Sequence, residues 1–197
     1  AYHRPSGLAF EVDYRGLPGE GTGALMRTLR VKNRSGRALR LRLADGMARV
    51  IPGGIRNSEF REMANLTKSY FDARLSGRGF ALFTARSTTE NSARVGVSKR
   101  SHFYFAAREG APLPICLDAR EIFGEDSSLT YPGRFYSKAP VSVPESVSDL
   151  IPCAFSLSEF ALGPGEETAI RSFAGFLDGE GGEERYAPRF LDEAWCE

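Results

Sequence analysis

The sequence predicts an all-β fold, a large sandwich of two antiparallel sheets with one or two short helices, and three observations carry that expectation. Short runs alternate apolar and polar residues with a period of two. Turn clusters rich in Gly, Pro, Asn and Ser separate the runs at a spacing of about ten residues. A single segment near residue 60 shows helical spacing within the run of strands.

Taken in order, Leu8, Phe10, Val12 and Tyr14 alternate with Ala9, Glu11 and Asp13, the pattern of a strand with one face on a core. The glycine-rich stretch at 16–23 lacks the Lys-Ser/Thr ending of a phosphate loop and precedes a strand, so it reads as a flexible connection. From Leu25 to Asp45, Leu29 and Val31 alternate with Thr28, Arg30 and Lys32, and Leu39, Leu41 and Leu43 with Arg40 and Arg42. Asn33-Arg34-Ser35-Gly36 interrupts the pattern, which predicts two strands folded back as a hairpin with an apolar face and an arginine face.

Met47 to Ile51 reads as a further strand, closed by Pro52-Gly53-Gly54. Asn57 or Ser58 can cap a short helix bearing Phe60, Met63, Ala64 and Thr67, expected as a lid over one end of a sheet. Strands at Tyr70–Leu75 and Phe80–Arg86 flank Ser76-Gly77-Arg78-Gly79, a second hairpin signal, and Ala93–Val97 and His102–Ala107 continue the series. Between Ala111 and Ser148 five prolines punctuate a segment with one helical turn, Arg120–Phe123, and many aromatics. Alternation returns at Leu150–Leu162 and Thr168–Leu177, joined by the tight turn Gly163-Pro164-Gly165-Glu166. Tyr186, Phe190, Leu191, Ala194 and Trp195 then recur at helical intervals, and so apolar a short helix needs a surface to pack on. We read the chain as one domain of a longer polypeptide.

Composition narrows the function classes. A chain of 197 residues, 42% hydrophobic, can bury a sizeable core. A net charge of +1 provides no global field for nucleic acid or an acidic membrane, and no apolar run reaches the length of a membrane span. Cys116, Cys153 and Cys196 are an odd, widely spaced set in apolar contexts, which points to buried thiols in a reducing, cytoplasmic compartment and away from a disulfide framework. His3 and His102 have no metal-ligand spacing, so no metal and no cofactor are expected, and His102 reads as a packed sheet residue. No Gly-x-Ser-x-Gly elbow is present. The adjacent pairs Glu125-Asp126 and Glu166-Glu167 read as ordinary loop acidity. More suggestive is the cluster Asp126, Tyr131, Arg134, Phe135 and Tyr136, because flat aromatics beside a few hydrogen-bonding groups suit a sugar-contacting surface. The competing reading is that these aromatics pin the loop onto the sandwich.

Arg120-Glu121-Ile122-Phe123-Gly124, Ser127-Ser128-Leu129-Thr130-Tyr131-Pro132, Ile151-Pro152-Cys153-Ala154 and Leu162-Gly163-Pro164-Gly165-Glu166 follow one another in an order that resembles the N-terminal domain of the cellobiose phosphorylase family. The turn at Val31–Gly36 is similar to that family's opening strands. The resemblance covers most of the chain from about Leu25 to Leu177 in short pieces whose order is the signal. It implies a galactose mutarotase-like β-supersandwich over residues 1–180 and, at 181–197, the start of a linker helix to an (α/α)6 barrel that would hold the catalytic residues of a glycoside phosphorylase or glycosyl hydrolase. No catalytic residue is therefore carried over to this chain. The implied partners are that barrel in the same parent chain, an oligosaccharide and a second copy of the protein; the implied role is to brace the barrel and lend a loop to the rim of its sugar cleft. Two alternatives stand beside it: a free-standing carbohydrate-binding module, and a mutarotase-type epimerase in which His102 would have to act.

Overall fold

Alternation sorts the side chains of each strand onto two faces, and this protein uses both. The computed structural model describes residues 2–3, 5–17, 23–55, 57–86, 100–137, 139–178 and 182–196. Its early strands are β1 (Tyr2–His3), β2 (Leu8–Gly16), β3 (Ala24–Asn33), β4 (Leu39–Met47), β5 (Phe71–Leu75) and β6 (Ala81–Ala85). The later ones are β7 (Arg100–Arg108), β8 (Ala111–Pro112), β9 (Ile115–Cys116), β10 (Ser146–Ser148), β11 (Ala154–Leu162) and β12 (Glu167–Asp178). The helices are short: α1 (Asn57–Glu62), α2 (Ala64–Thr67), α3 (Arg120–Phe123), α4 (Gly133–Tyr136), α5 (Gly182–Leu191) and α6 (Glu193–Cys196).

Among the described residues, nine strands form one antiparallel sheet in the order β1-β2-β3-β12-β7-β6-β5-β10, with β8 beside β7, and β4-β11-β9 form a second. The chain folds as the expected two-sheet antiparallel sandwich. Leu29 and Val31 of the large sheet meet Leu39, Leu41, Leu43 and Leu162 of the small one, and Phe83, Tyr104 and Ala106 meet Ile115 and Ala154. The hairpin at Ser76–Gly79 forms as predicted, with Leu75 paired to Ala81. Predicted strand Ala93–Val97 lies outside the described residues. Residues 48–51 do not form the expected strand: β4 ends at Met47, just past Gly46, where a Cβ would stand 1.8 Å from the carbonyl oxygen of Ala154. The lid helix is two pieces, α1 and α2, interrupted at Met63.

The hairpin expected between Leu25 and Asp45 is corrected. β3 pairs with β2 and β12 in the large sheet, whereas β4 pairs with β11 in the small one. Alternation specifies which face is apolar but not which strand lies alongside, and residues 34–38 carry the chain across the sandwich. The turn at 163–166 crosses back between β11 and β12, so the two crossings lie side by side. Asn33, fully buried, joins them. Its backbone N–H donates to the Glu166 carbonyl (2.9 Å) and its own carbonyl accepts from Gly165 N–H (2.9 Å). Its Nδ2 lies 2.8, 2.9 and 3.0 Å from the carbonyls of Arg37, Leu162 and Gly163, and its Oδ1 accepts from Ser35 N–H and Oγ–H. A second polar brace spans the sheets further along, where Arg27 of β3 pairs with Asp45 of β4 at 2.5 Å and the hydroxyls of Tyr104 and Ser156 donate to the Asp45 carbonyl. Burial pushes the Tyr104 phenol up to about 12, keeping it a donor.

The C-terminal apolar stripe finds its packing surface within the chain, on the outer face of the large sheet. Phe190 lies face to face on Phe173, centroids 4.0 Å apart at 6°, among Phe80, Phe103, Phe105, Tyr186 and Trp195. Because helices cover one face and the small sheet the other, Phe103 through Ala107 of β7 are all buried. Among the described residues no helix is long and apolar enough to cross a membrane.

Replacing Asn33 removes donors from three carbonyls, two of them at the buried end of β11. Asn33→Ala is expected to lower the unfolding free energy by about 2–4 kcal/mol in urea titration, comparable with the ~3–5 kcal/mol expected for Phe190→Ala. A loss below about 1 kcal/mol, the size of one ordinary hydrogen bond, would show that the two crossings are held by packing alone.

Candidate carbohydrate-contact site

The proline-punctuated segment runs over the outer face of the small sheet. Its anchor is apolar: Ile122, Phe123, Phe135 and Val141 pack on Cys116, Cys153, Phe155 and Leu157. Helix α3 starts beyond Asp118, whose carboxylate accepts from the Arg120 N–H at 2.9 Å and from its guanidinium. Cys153 is buried, and its hydrogen bond with Cys116 together with burial pushes its thiol up, so it is held as an unreactive thiol.

The five sequence-predicted residues divide by role. Asp126 is engaged within its own turn: its carboxylate accepts from Ser128 N–H and Oγ–H, from Thr130 N–H and Oγ1–H and from Tyr131 N–H, tying the turn from 126 to 131 around itself. The Ser128 hydroxyl and the Tyr131 amide, with the other donors, hold the Asp126 carboxyl well below the usual carboxylate range. Arg134 pairs with Glu121 at 2.9 Å, and Glu121 also accepts from Ser142 N–H. Phe135 pins the loop, half-buried, with the Arg42 guanidinium 4.7 Å over its ring; Arg42 donates in turn to the Ala139 carbonyl at 2.9 Å. Arg42 is thus covered by the loop while Arg40 faces solvent.

Tyr131 and Tyr136 do something else. They are 63% and 61% exposed, yet they meet edge to face with ring centroids 5.5 Å apart. Phe123 and Phe135 pin the loop, whereas the two tyrosines are presented to solvent. α4, which carries Phe135 and Tyr136, was not expected from the sequence; its four residues are too few to show a periodicity.

Beside Phe135 is a cleft of about 410 Å³ that also takes in Arg42, Arg108, Leu157 and Ser158. Arg108 and Ser158 are not among the residues that the sequence singles out. The available signal was parity, since Ser158 occupies the inward-facing register of Phe160 and Leu162 on β11. Elsewhere, His102 Nδ1 lies 3.0 Å from the Ile51 carbonyl and its ring is 4.2 Å from that of Phe176; burial lowers its pKa. No group of three or more His, Cys, Asp or Glu side chains suited to a metal ion occurs among the described residues. No protein-family model matches the chain, and no curated protein matches it.

A carboxyl whose folded value is depressed supports structure above its ordinary range and loses that support only as pH falls through the lower folded value. Amide shifts and exchange protection at Ser128, Thr130 and Tyr131 are accordingly expected to stay constant from pH 7 to about 4, near the free aspartate value. Asp126→Ala should abolish the protection across that whole range. Loop signals that titrate between about pH 4 and 6 would contradict the knot.

Proposed function

We propose that this chain is a non-catalytic β-sandwich domain of a carbohydrate-active enzyme, and that Tyr131 and Tyr136 form its contact with sugar. The observation that carries the proposal is the exposure of two mutually packed tyrosines on a loop that is otherwise tied down at Asp126, Arg134 and Phe135. A ring kept in water by an ordered loop loses little further freedom on binding, and its flat face with a hydroxyl at the rim suits the alternating C–H and O–H surface of a pyranose. Single exposed aromatics are common on soluble proteins; a pre-arranged pair is the less ordinary feature.

The order of motifs that resembles the cellobiose phosphorylase N-terminal domain supports a parent enzyme with an (α/α)6 barrel, a phosphorylase or hydrolase of glycosides in the cytoplasm. This domain would brace that barrel through the segment beginning near Glu183 and place the tyrosine loop at the rim of a sugar cleft. Two of those motifs have clear structural work here: Leu162–Glu166 forms the crossing held by Asn33, and Pro152-Cys153-Ala154 leads into β11 beneath the loop.

The tyrosine pair also favours a second reading, a free-standing binding module. The two readings differ in affinity, because a rim contact supplies one wall of a site and a module supplies all of it. A mutarotase-type activity finds no such support, since His102 is occupied by Ile51 and Phe176 and is paired with no carboxylate among the described residues.

Titration of the protein with cello-oligosaccharides, followed by amide NMR, is expected to give millimolar affinity, about −4 kcal/mol, with shifts confined to residues around 126–136. Tyr131→Ala and Tyr136→Ala should each weaken it about three- to tenfold, the equivalent of ~0.5–1.5 kcal/mol per aromatic contact. Micromolar affinity would favour the free-standing module, and shifts that avoid the loop would overturn the assignment of the site.

A further inference from the structure

We propose that the cleft beside Phe135 binds a small oxyanion, a phosphate monoester or a carboxylate, through Arg108 and Ser158. The cleft exists because one strand ends early. β9 lies along β11 only at Phe155 and Ser156, with one further bond from Leu157 N–H to the Pro114 carbonyl. Beyond that point β11 pairs with β4 alone while the chain turns away at Leu113, leaving a notch of about 410 Å³ at the sheet edge, within the ordinary size range for small-molecule sites. Arg108, the last residue of β7, enters this notch from the other sheet with its guanidinium 4.9 Å over the Phe160 ring.

Among the described residues two buried side-chain polar atoms have no hydrogen-bond partner, Arg108 Nη1 and Ser158 Oγ. Both residues line this one cleft, and Ser158 is only 8% exposed. Buried polar groups are nearly always satisfied, and a guanidinium cannot escape the cost by losing its proton. A guanidinium offers only donors and a hydroxyl can give or accept, so one acceptor placed between the two satisfies both, and the fixed positive charge favours an anionic one.

The neighbouring carboxylates leave that role open. Glu109 is 3.7 Å from Arg108 Nη2, and Glu159, which itself lines the cleft, is 3.6 Å from Arg42 Nε; their side chains are 70% and 74% exposed, beyond hydrogen-bonding distance and screened by water. Leu113, Pro114, Val141 and Leu157 form an apolar wall on which the body of the ligand would rest. Tyr131 and Tyr136 do not line this cleft, so the anion site stands apart from the sugar-contact reading.

Calorimetric titration of the full chain with inorganic phosphate, glucose 6-phosphate, glucuronate and neutral glucose tests the proposal. At least one anion is expected to bind where glucose does not, and the phosphate and carboxylate arms show which oxyanion is preferred. Arg108→Met keeps an unbranched stem over Phe160 and should weaken binding at least tenfold, roughly the loss of one charge-assisted hydrogen bond, and the anion should raise the Tm of the wild type but not of this variant. Ser158→Ala, expected to weaken binding about threefold, decides the matter if Arg108→Met does not fold. The proposal is overturned if no anion binds up to about 10 mM, the weak end of specific affinity, if glucose binds equally well, or if the variants bind like the wild type; the two buried atoms would then be satisfied by water.

Discussion

The structure depends on one side chain, the carboxamide of Asn33. A two-sheet sandwich whose chain crosses between sheets twice at the same end must hold those crossings in register, and apolar packing alone is poorly directional. Asn33 supplies both a donor and an acceptor in a buried place. It collects the carbonyls of Arg37, Leu162 and Gly163 and receives Ser35, while its own backbone pairs with Gly165 and Glu166. Glu166 completes the arrangement by accepting from Gly163 N–H at 2.7 Å. With the ends of β3 and β11 fixed in this way, β4 and β11 lie at a defined height above the large sheet, and everything carried by the small sheet inherits that position.

The small sheet carries both of the proposed sites. Its outer face holds the loop from Asp118 to Val141, and its open edge holds the cleft of Arg108 and Ser158. The centre of the large sheet's outer face, by contrast, is covered by α5 and α6 through Phe190 and its aromatic neighbours. Phe135 is shared between loop and cleft, and Arg42 holds it from below. The tyrosine pair and the anion cleft therefore rest on one mechanical unit while using different atoms.

Much of this was legible in the residues. Alternation marked β2, β3, β4, β11 and β12, and Gly-containing clusters marked the turns. Strand partners were not legible, because Asn33-Arg34-Ser35-Gly36 can close a hairpin or start a crossing, and the choice is made by contacts with residues about 130 positions away. At the site, the aromatic cluster was visible as composition, but the division between pinning Phe135 and presented Tyr131 and Tyr136 depends on how a four-residue helix turns on Pro132. The part Asp126 plays in its own turn, gathering N–H groups, is local backbone geometry that residue type alone leaves open. Ser158 carried no pattern beyond inward parity on β11, Arg108 at the end of β7 carried none, and only the early end of β9 brings them to one notch.

The most direct measurement is the optical accessibility of individual tyrosines by photo-CIDNP NMR, with and without cello-oligosaccharide. Tyr131, Tyr136 and Tyr14 are 63%, 61% and 63% exposed, and Tyr14 lies on β2, in the large sheet and away from the loop. Sugar is expected to quench the Tyr131 and Tyr136 signals and to leave Tyr14 unchanged. Equal quenching of all three, or none at the loop, would contradict the assignment of this face to carbohydrate.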